Sequence, residues 1–102
     1  ALLVEGRDGC CLAVGCAHPG IENIVLKAEG ICGKPVLFVV GGSHLVDASD
    51  EEVERRADFF EARGTTLHLG HCTGLDAFAI LRRRLGKKVE PLHAGKQFEL
   101  EF

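Results

Sequence analysis

The 102 residues predict an α/β domain built on a mostly parallel sheet. Three observations point there. Short apolar runs alternate with stretches of helical periodicity, and each run is joined to the stretch after it by a few residues. Val36–Val40, "VLFVV", is apolar without polar alternation, the pattern of a strand covered on both faces. Three loops in the same strand-to-helix position each carry one histidine: His18, His44 and His71. Short connections of this kind favour parallel strands joined by right-handed crossovers.

Ala1–Val4 and Cys10–Val14 are apolar runs separated by "EGRDG", whose glycines and Asp8 suit a tight reversal. The chain is therefore expected to open with a β-hairpin. Ile21, Ile24, Val25 and Ala28 recur at helical spacing, and Gly30 or Gly33 closes that helix. The strand Val36–Val40 follows. Ser49 begins "SDEE", a capping box with Glu52, and opens a helix whose inner stripe is Val53, Ala57 and Phe60. Gly64 ends it, and Thr65–Leu69 reads as the next strand. Thr73 is the expected cap of a third helix with Leu75, Phe78, Leu81 and Leu85 facing inward and Gly86 after its last turn. Gln97–Phe102 can add a final strand. No linker or low-complexity tract interrupts the chain, so residues 1–102 read as a single domain.

Bulk properties exclude several classes of function. A net charge of −3 gives no electrostatic footprint for nucleic acid or an anionic membrane. No apolar stretch approaches the roughly 20 residues that span a bilayer. No basic-then-apolar leader opens the chain, so a soluble, cytoplasmic protein is expected. The 5 cysteines are odd in number and lack CxxC spacing, which favours reduced thiols over a disulfide framework. Neither GxGxxG nor GxxxxGK[ST] is present to support a nucleotide-binding reading.

The histidines carry the chemistry. Parallel strands bring their carboxyl ends to one edge, where open α/β sheets bind ligands. In "GCAHPG", Pro19 holds His18 extended at a strand end and can itself start the helix. Imidazole is the commonest protein ligand of zinc and related ions, which need three or four donors. His71, in "GHCTG", stands just before the expected cap Thr73, where open amides can hold an anionic group beside a metal. His44, in "GGSHL", is open to three roles: metal ligand, substrate contact or proton shuttle. His68, inside a strand, and His93, in a tail loop, read as structural. Cys16 is either a thiolate ligand or a small buried hydrophobe. Arg82, Arg83 and Arg84 suit the carboxyl end of a helix dipole, with a phosphate contact as the lesser reading. Asp47 serves a turn.

"VGCAHPGIENIV", "VVGGSHL" and "GHCTG", in that order, resemble the carboxy-terminal half of metallo-β-lactamase-fold hydrolases. Within them the resemblance is to the branch that includes the archaeal dihydropterin synthase of methanopterin biosynthesis, and it covers essentially the whole chain. It implies one half of an αβ/βα sandwich: one sheet layer with about three helices. It also implies His18 and His71 as metal ligands and sets His44 near the family's bridging position. Beside it, the residues themselves are read with His44 as a catalytic group that orients substrate or metal, and Thr73, Gly74 and Ser43 as substrate-binding residues. The implied cofactor is one or two divalent ions, with zinc expected. The implied substrate is a small anionic metabolite, phosphorylated or otherwise, attacked through metal-activated water.

Two departures qualify that likeness. Most relatives carry a bridging Asp or Cys near position 44, whereas this chain has Gly41, Gly42, Ser43 and His44 there. The family's HxHxDH motif, placed in its amino-terminal half, is absent from these residues. The expected partner is therefore that missing half or a second copy of the chain. The physical pattern agrees: if the three helices share one face of the sheet, an apolar surface is left open. The alternative is a non-catalytic half-domain that mediates assembly, its histidines structural or metal-binding.

Overall fold

The structure is a computed structural model that describes residues 2–15, 20–42, 48–70 and 73–92. Among these residues, β1 (Leu2–Glu5), β2 (Cys10–Val14), β3 (Val36–Gly41), β4 (Thr66–Leu69) and β5 (Val89–Pro91) form one sheet. Three helices connect them: α1 (Ile21–Cys32), α2 (Asp50–Arg63) and α3 (Leu75–Leu85). The spatial order is β1-β2-β3-β4-β5, so every strand lies beside its sequence neighbour. β1 and β2 form the expected antiparallel hairpin, and β2 to β5 run parallel.

Local chemistry explains the element limits. Ser49 caps α2, its hydroxyl accepting the Glu52 amide at 3.2 Å. Asp50, Glu51 and Glu52 then place negative charge in the first turn, where the helix dipole favours it. Gly33 and Gly64 stop α1 and α2 in the left-handed conformation, both at φ 69. Of the two stops open for α1, Gly33 is therefore the one used. The third helix differs from expectation: its N-cap is Gly74, not Thr73, with no side-chain capping bond. The strand expected from Thr65 begins at Thr66, while the buried Thr65 hydroxyl donates to the Val36 carbonyl at 3.1 Å. β5 lies where no strand was expected, and Gln97–Phe102 falls outside the described residues.

The two faces of the sheet have different fates. One core joins Cys10 and Leu12 of β2, Val36 and Val39 of β3, Leu67 and Leu69 of β4, and Val89 of β5. Its other members are the inner stripes of all three helices: Ile21, Val25 and Ala28; Val53, Ala57 and Phe60; Ala77 and Leu81. The register aligns Leu12, Val39, Leu67 and Val89 across the sheet, so all these strand residues share one face. No strand residue of the opposite face belongs to this core. That face carries Leu2, Val4, Cys11, Ala13, Phe38 and Val40, then Thr66, His68 and Glu90 towards β5. The helices therefore cover one side only.

Polar ties hold the layer at its edges. The Glu29 carboxylate accepts the Val36 amide at 2.8 Å and pairs with Arg63, joining α1, the start of β3 and the end of α2. Arg63 also stacks over Phe59, 4.7 Å from the ring centre. Between α2 and α3, Arg84 bonds Glu54 at 2.8 Å and also pairs with Asp58. No described helix is long and apolar enough to cross a membrane.

Candidate functional site

The parallel strands end level with one another, and a hydrogen-bonded row of glycines continues past them. The Gly42 amide donates to the Gly15 carbonyl at 2.7 Å, and the Gly70 amide donates to the Gly41 carbonyl at 2.6 Å. One strand further on, the Leu92 amide donates to the Leu69 carbonyl at 2.8 Å. The ladder is thus closed up to the residue where each histidine-bearing loop departs. Neighbouring strands are about 4.8 Å apart, so two steps separate the first and third loop roots by about 10 Å.

The loops that spring from this rim are residues 16–19, 43–47 and 71–72. His18, Ser43, His44 and His71 lie in them, outside the described residues, as do Cys16 and Asp47. In sequence, His18 is three residues beyond Gly15, His44 two beyond Gly42, and His71 next to Gly70. Among the described residues, no three His, Cys, Asp or Glu gather into a group that could hold a metal.

Thr73 and Gly74 are described. Thr73 is 1% exposed, and its amide donates to the Gly70 carbonyl at 3.2 Å. Gly74, at φ 86, opens α3, just as Gly20, at φ 100, opens α1. Neither helix start has a side-chain capping bond, whereas α2 is capped by Ser49. The helices that follow the His18 and His71 loops thus begin at glycines.

The remaining candidates have structural employment. Arg82 donates to the Val89 carbonyl at 2.9 Å, Arg83 pairs with Glu54 at 3.5 Å, and Arg84 bridges α3 to α2. The hydrogen bonds of Arg84 to Asp58 and Glu54 hold its pKa above the usual guanidinium value. Burial, reinforced by a hydrogen bond with Cys32, pushes the Cys10 thiol up to about 11. Burial also raises the Cys11 thiol. Neither is a ready thiolate at neutral pH. His68 is buried within β4, in keeping with a structural role.

What reading the sequence missed was the glycine rim, although a signal was there: each histidine loop begins at a glycine. Gly41, at φ 134, is packed against the end of β2.

Comparison with known proteins places the chain. No family model matches it. It is 35% identical over 97 residues to the 7,8-dihydropterin-6-methyl-4-(beta-D-ribofuranosyl)-aminobenzene-5'-phosphate synthase of Methanocaldococcus jannaschii, covering 93% of this chain and 33% of that protein. It is 36% identical over 70 residues to the uncharacterized protein MJ0448 of the same organism, covering 69% of this chain and 27% of the other. Among solved structures it superposes on Tm1679, described as a metal-dependent hydrolase of the beta-lactamase superfamily, with a TM-score of 0.89 and 34% identity. That match covers 98% of this chain and 40% of Tm1679. The chain spans about a third of the length of the curated relatives it matches.

Proposed function

We propose that this chain is part of a metal-dependent hydrolase or transferase acting on an anionic metabolite, because it superposes on 40% of a metal-dependent hydrolase of the beta-lactamase superfamily and is 35% identical to a third of a dihydropterin synthase. The observation that carries this reading is the rim: three strand ends bonded side by side at Gly15, Gly41–Gly42 and Gly70, each followed by a loop with one histidine. His18 and His71 would hold the metal, and His44 would orient substrate or ion. Imidazoles on three neighbouring loops fit zinc in donor type, and the further donors that a complete site needs would come from outside these residues. A divalent metal there supplies a Lewis acid and activated water at neutral pH.

The chain's own residues would bind and orient the substrate. The glycine starts of α1 and α3 leave amides without side-chain caps, suited to a phosphate or carboxylate. Thr73, buried behind Gly74, would hold the turn that presents those amides, and Ser43 would add a hydroxyl from the second loop. Lys and Arg would not be needed for the anion, since the arginines of α3 are engaged by α2 and β5.

A second layer would cover the open sheet face. The exposure of Leu2 and Val4 on that face of β1 supports this, as does the share of each relative that the chain leaves unmatched. The layer would be the missing half of the enzyme or a second copy of this chain. The rival reading, a non-catalytic half-domain that serves assembly, rests on the absence of the HxHxDH motif from these residues. Elemental analysis of protein purified without chelator tests the metal site. Zinc should be present in the wild type and reduced in His18→Ala and in His71→Ala; undiminished metal in both variants removes the two histidines from the site. An adjacent or in-frame HxHxDH sequence upstream in the DNA separates the two readings, and its absence selects the assembly module.

A further inference from the structure

We propose that Gly41 is a positioning residue that sets the separation of the loop roots along the rim. The inference rests on the metal-site reading above and concerns how the fold holds that site. Gly41 adopts φ 134, a conformation that side chains of L-residues rarely enter. A Cβ built there would stand 1.9 Å from the Val14 carbonyl oxygen, 2.9 Å from its carbon and 3.0 Å from Val14 Cγ2. Two of these atoms are backbone in the β2–β3 ladder, so no rotamer change relieves the contact. Ordinary non-bonded carbon contacts lie at about 3.5–4.0 Å, and a side chain would therefore force the strand ends more than about 1 Å apart.

The position of Gly41 in the hydrogen-bond row makes that displacement matter. Its carbonyl accepts the Gly70 amide, and the next residue's amide donates to Gly15. Moving Gly41 therefore shifts the roots of all three histidine loops relative to one another. Gly15 and Gly70 are freer. A Cβ at Gly15 meets nothing within 4 Å, and at Gly70 the nearest atom is 3.6 Å away, an ordinary contact. Space and backbone together demand glycine at 41.

The test compares Gly41→Ala with Ala28→Gly, a substitution in α1 away from the rim. Amide exchange by NMR reads the rim directly, and a competitive titration with zinc alone reads its consequence. In Gly41→Ala the amides of Gly42 and Gly70 should exchange at least about tenfold faster relative to that of Val39. Zinc affinity should fall about 10- to 100-fold, the range typical when groups that orient ligands are disturbed. Ala28→Gly should keep the wild-type exchange ratio and zinc affinity. An unchanged ratio in Gly41→Ala overturns the proposal, and so does a raised ratio with wild-type zinc affinity. If the wild type takes up no zinc, the metal reading falls and the exchange ratio alone decides the role of Gly41. Should Gly41→Ala not fold, the wild type still decides: Gly42 and Gly70 amides exchanging as fast as unbonded loop amides would refute a fixed rim.

Discussion

Replacing Leu2 and Val4 together by aspartate probes the sheet face opposite the helices without touching the core. Both side chains stand on that face by their pairing with Ala13 and Cys11, and neither belongs to the cluster under the helices. Leu2 is 63% and Val4 45% exposed. Full burial of a leucine or valine side chain contributes about 1.5–3 kcal/mol, so covering the exposed share of these two would contribute about 2–3 kcal/mol. Both copies in a self-associating pair carry the change, so losing that share on each corresponds to association roughly a thousandfold to twenty-thousandfold weaker, before the added cost of burying carboxylates. Sedimentation velocity at tens of micromolar should show the wild-type chain associating and the double variant shifting to monomer. Far-UV circular dichroism and the unfolding midpoint should stay near wild type. A wild-type chain that sediments as an 11.0 kDa monomer and remains soluble refutes the reasoning. A double variant that associates as tightly as wild type does so equally.

Two further outcomes follow from the core. Phe60, 2% exposed on α2 and edge-on to Phe59 at 5.1 Å, should cost about 3–5 kcal/mol when changed to alanine, read from urea midpoints; a loss below about 1 kcal/mol would deny it a packed site. Cys10 should make stability depend on alkaline pH: the native thiol, at about 11, keeps its proton where an unfolded thiol, near 9.0, releases it. Its contribution is full below pH 9 and declines as the pH rises to 11. Cys10→Ala should flatten that decline between pH 9 and 11, and parallel curves for the two proteins would assign it to other groups.

Much of this architecture was legible because local signals agreed with the tertiary result. The stripe Ile21, Val25, Ala28 and the stripe Val53, Ala57, Phe60 are both buried as their spacing requires. Ser49 caps α2, although only half of the capping box forms: its hydroxyl meets the Glu52 carboxylate at 3.4 Å as well as the Glu52 amide. Thr73 misled because capping preference ranks threonine among the good caps, while the chain uses the next residue, a glycine in a conformation threonine would resist. β5 escaped notice because Val89–Pro91 has no period to recognise, and its extended form depends on pairing with Leu67–Leu69. The contact of Cys10 with Cys32 joins a strand to the end of a helix and leaves no local trace. That all three helices lie on one side became visible only with the strand order. For the site, the strand ends are where the sequence pattern required them, the glycine roots went unread, and the four side chains beyond them stand as proposals.

The uninterrupted strand order has a consequence for how the protein is made. Each strand–helix step docks on one that has already left the ribosome, so no segment must wait for a distant mate, and assembly can proceed vectorially as synthesis does. The growing margin always offers a free ladder to the next strand. A nascent chain halted after α1 or α2 would thus hold a narrower version of the same layer, ready to be extended rather than unravelled.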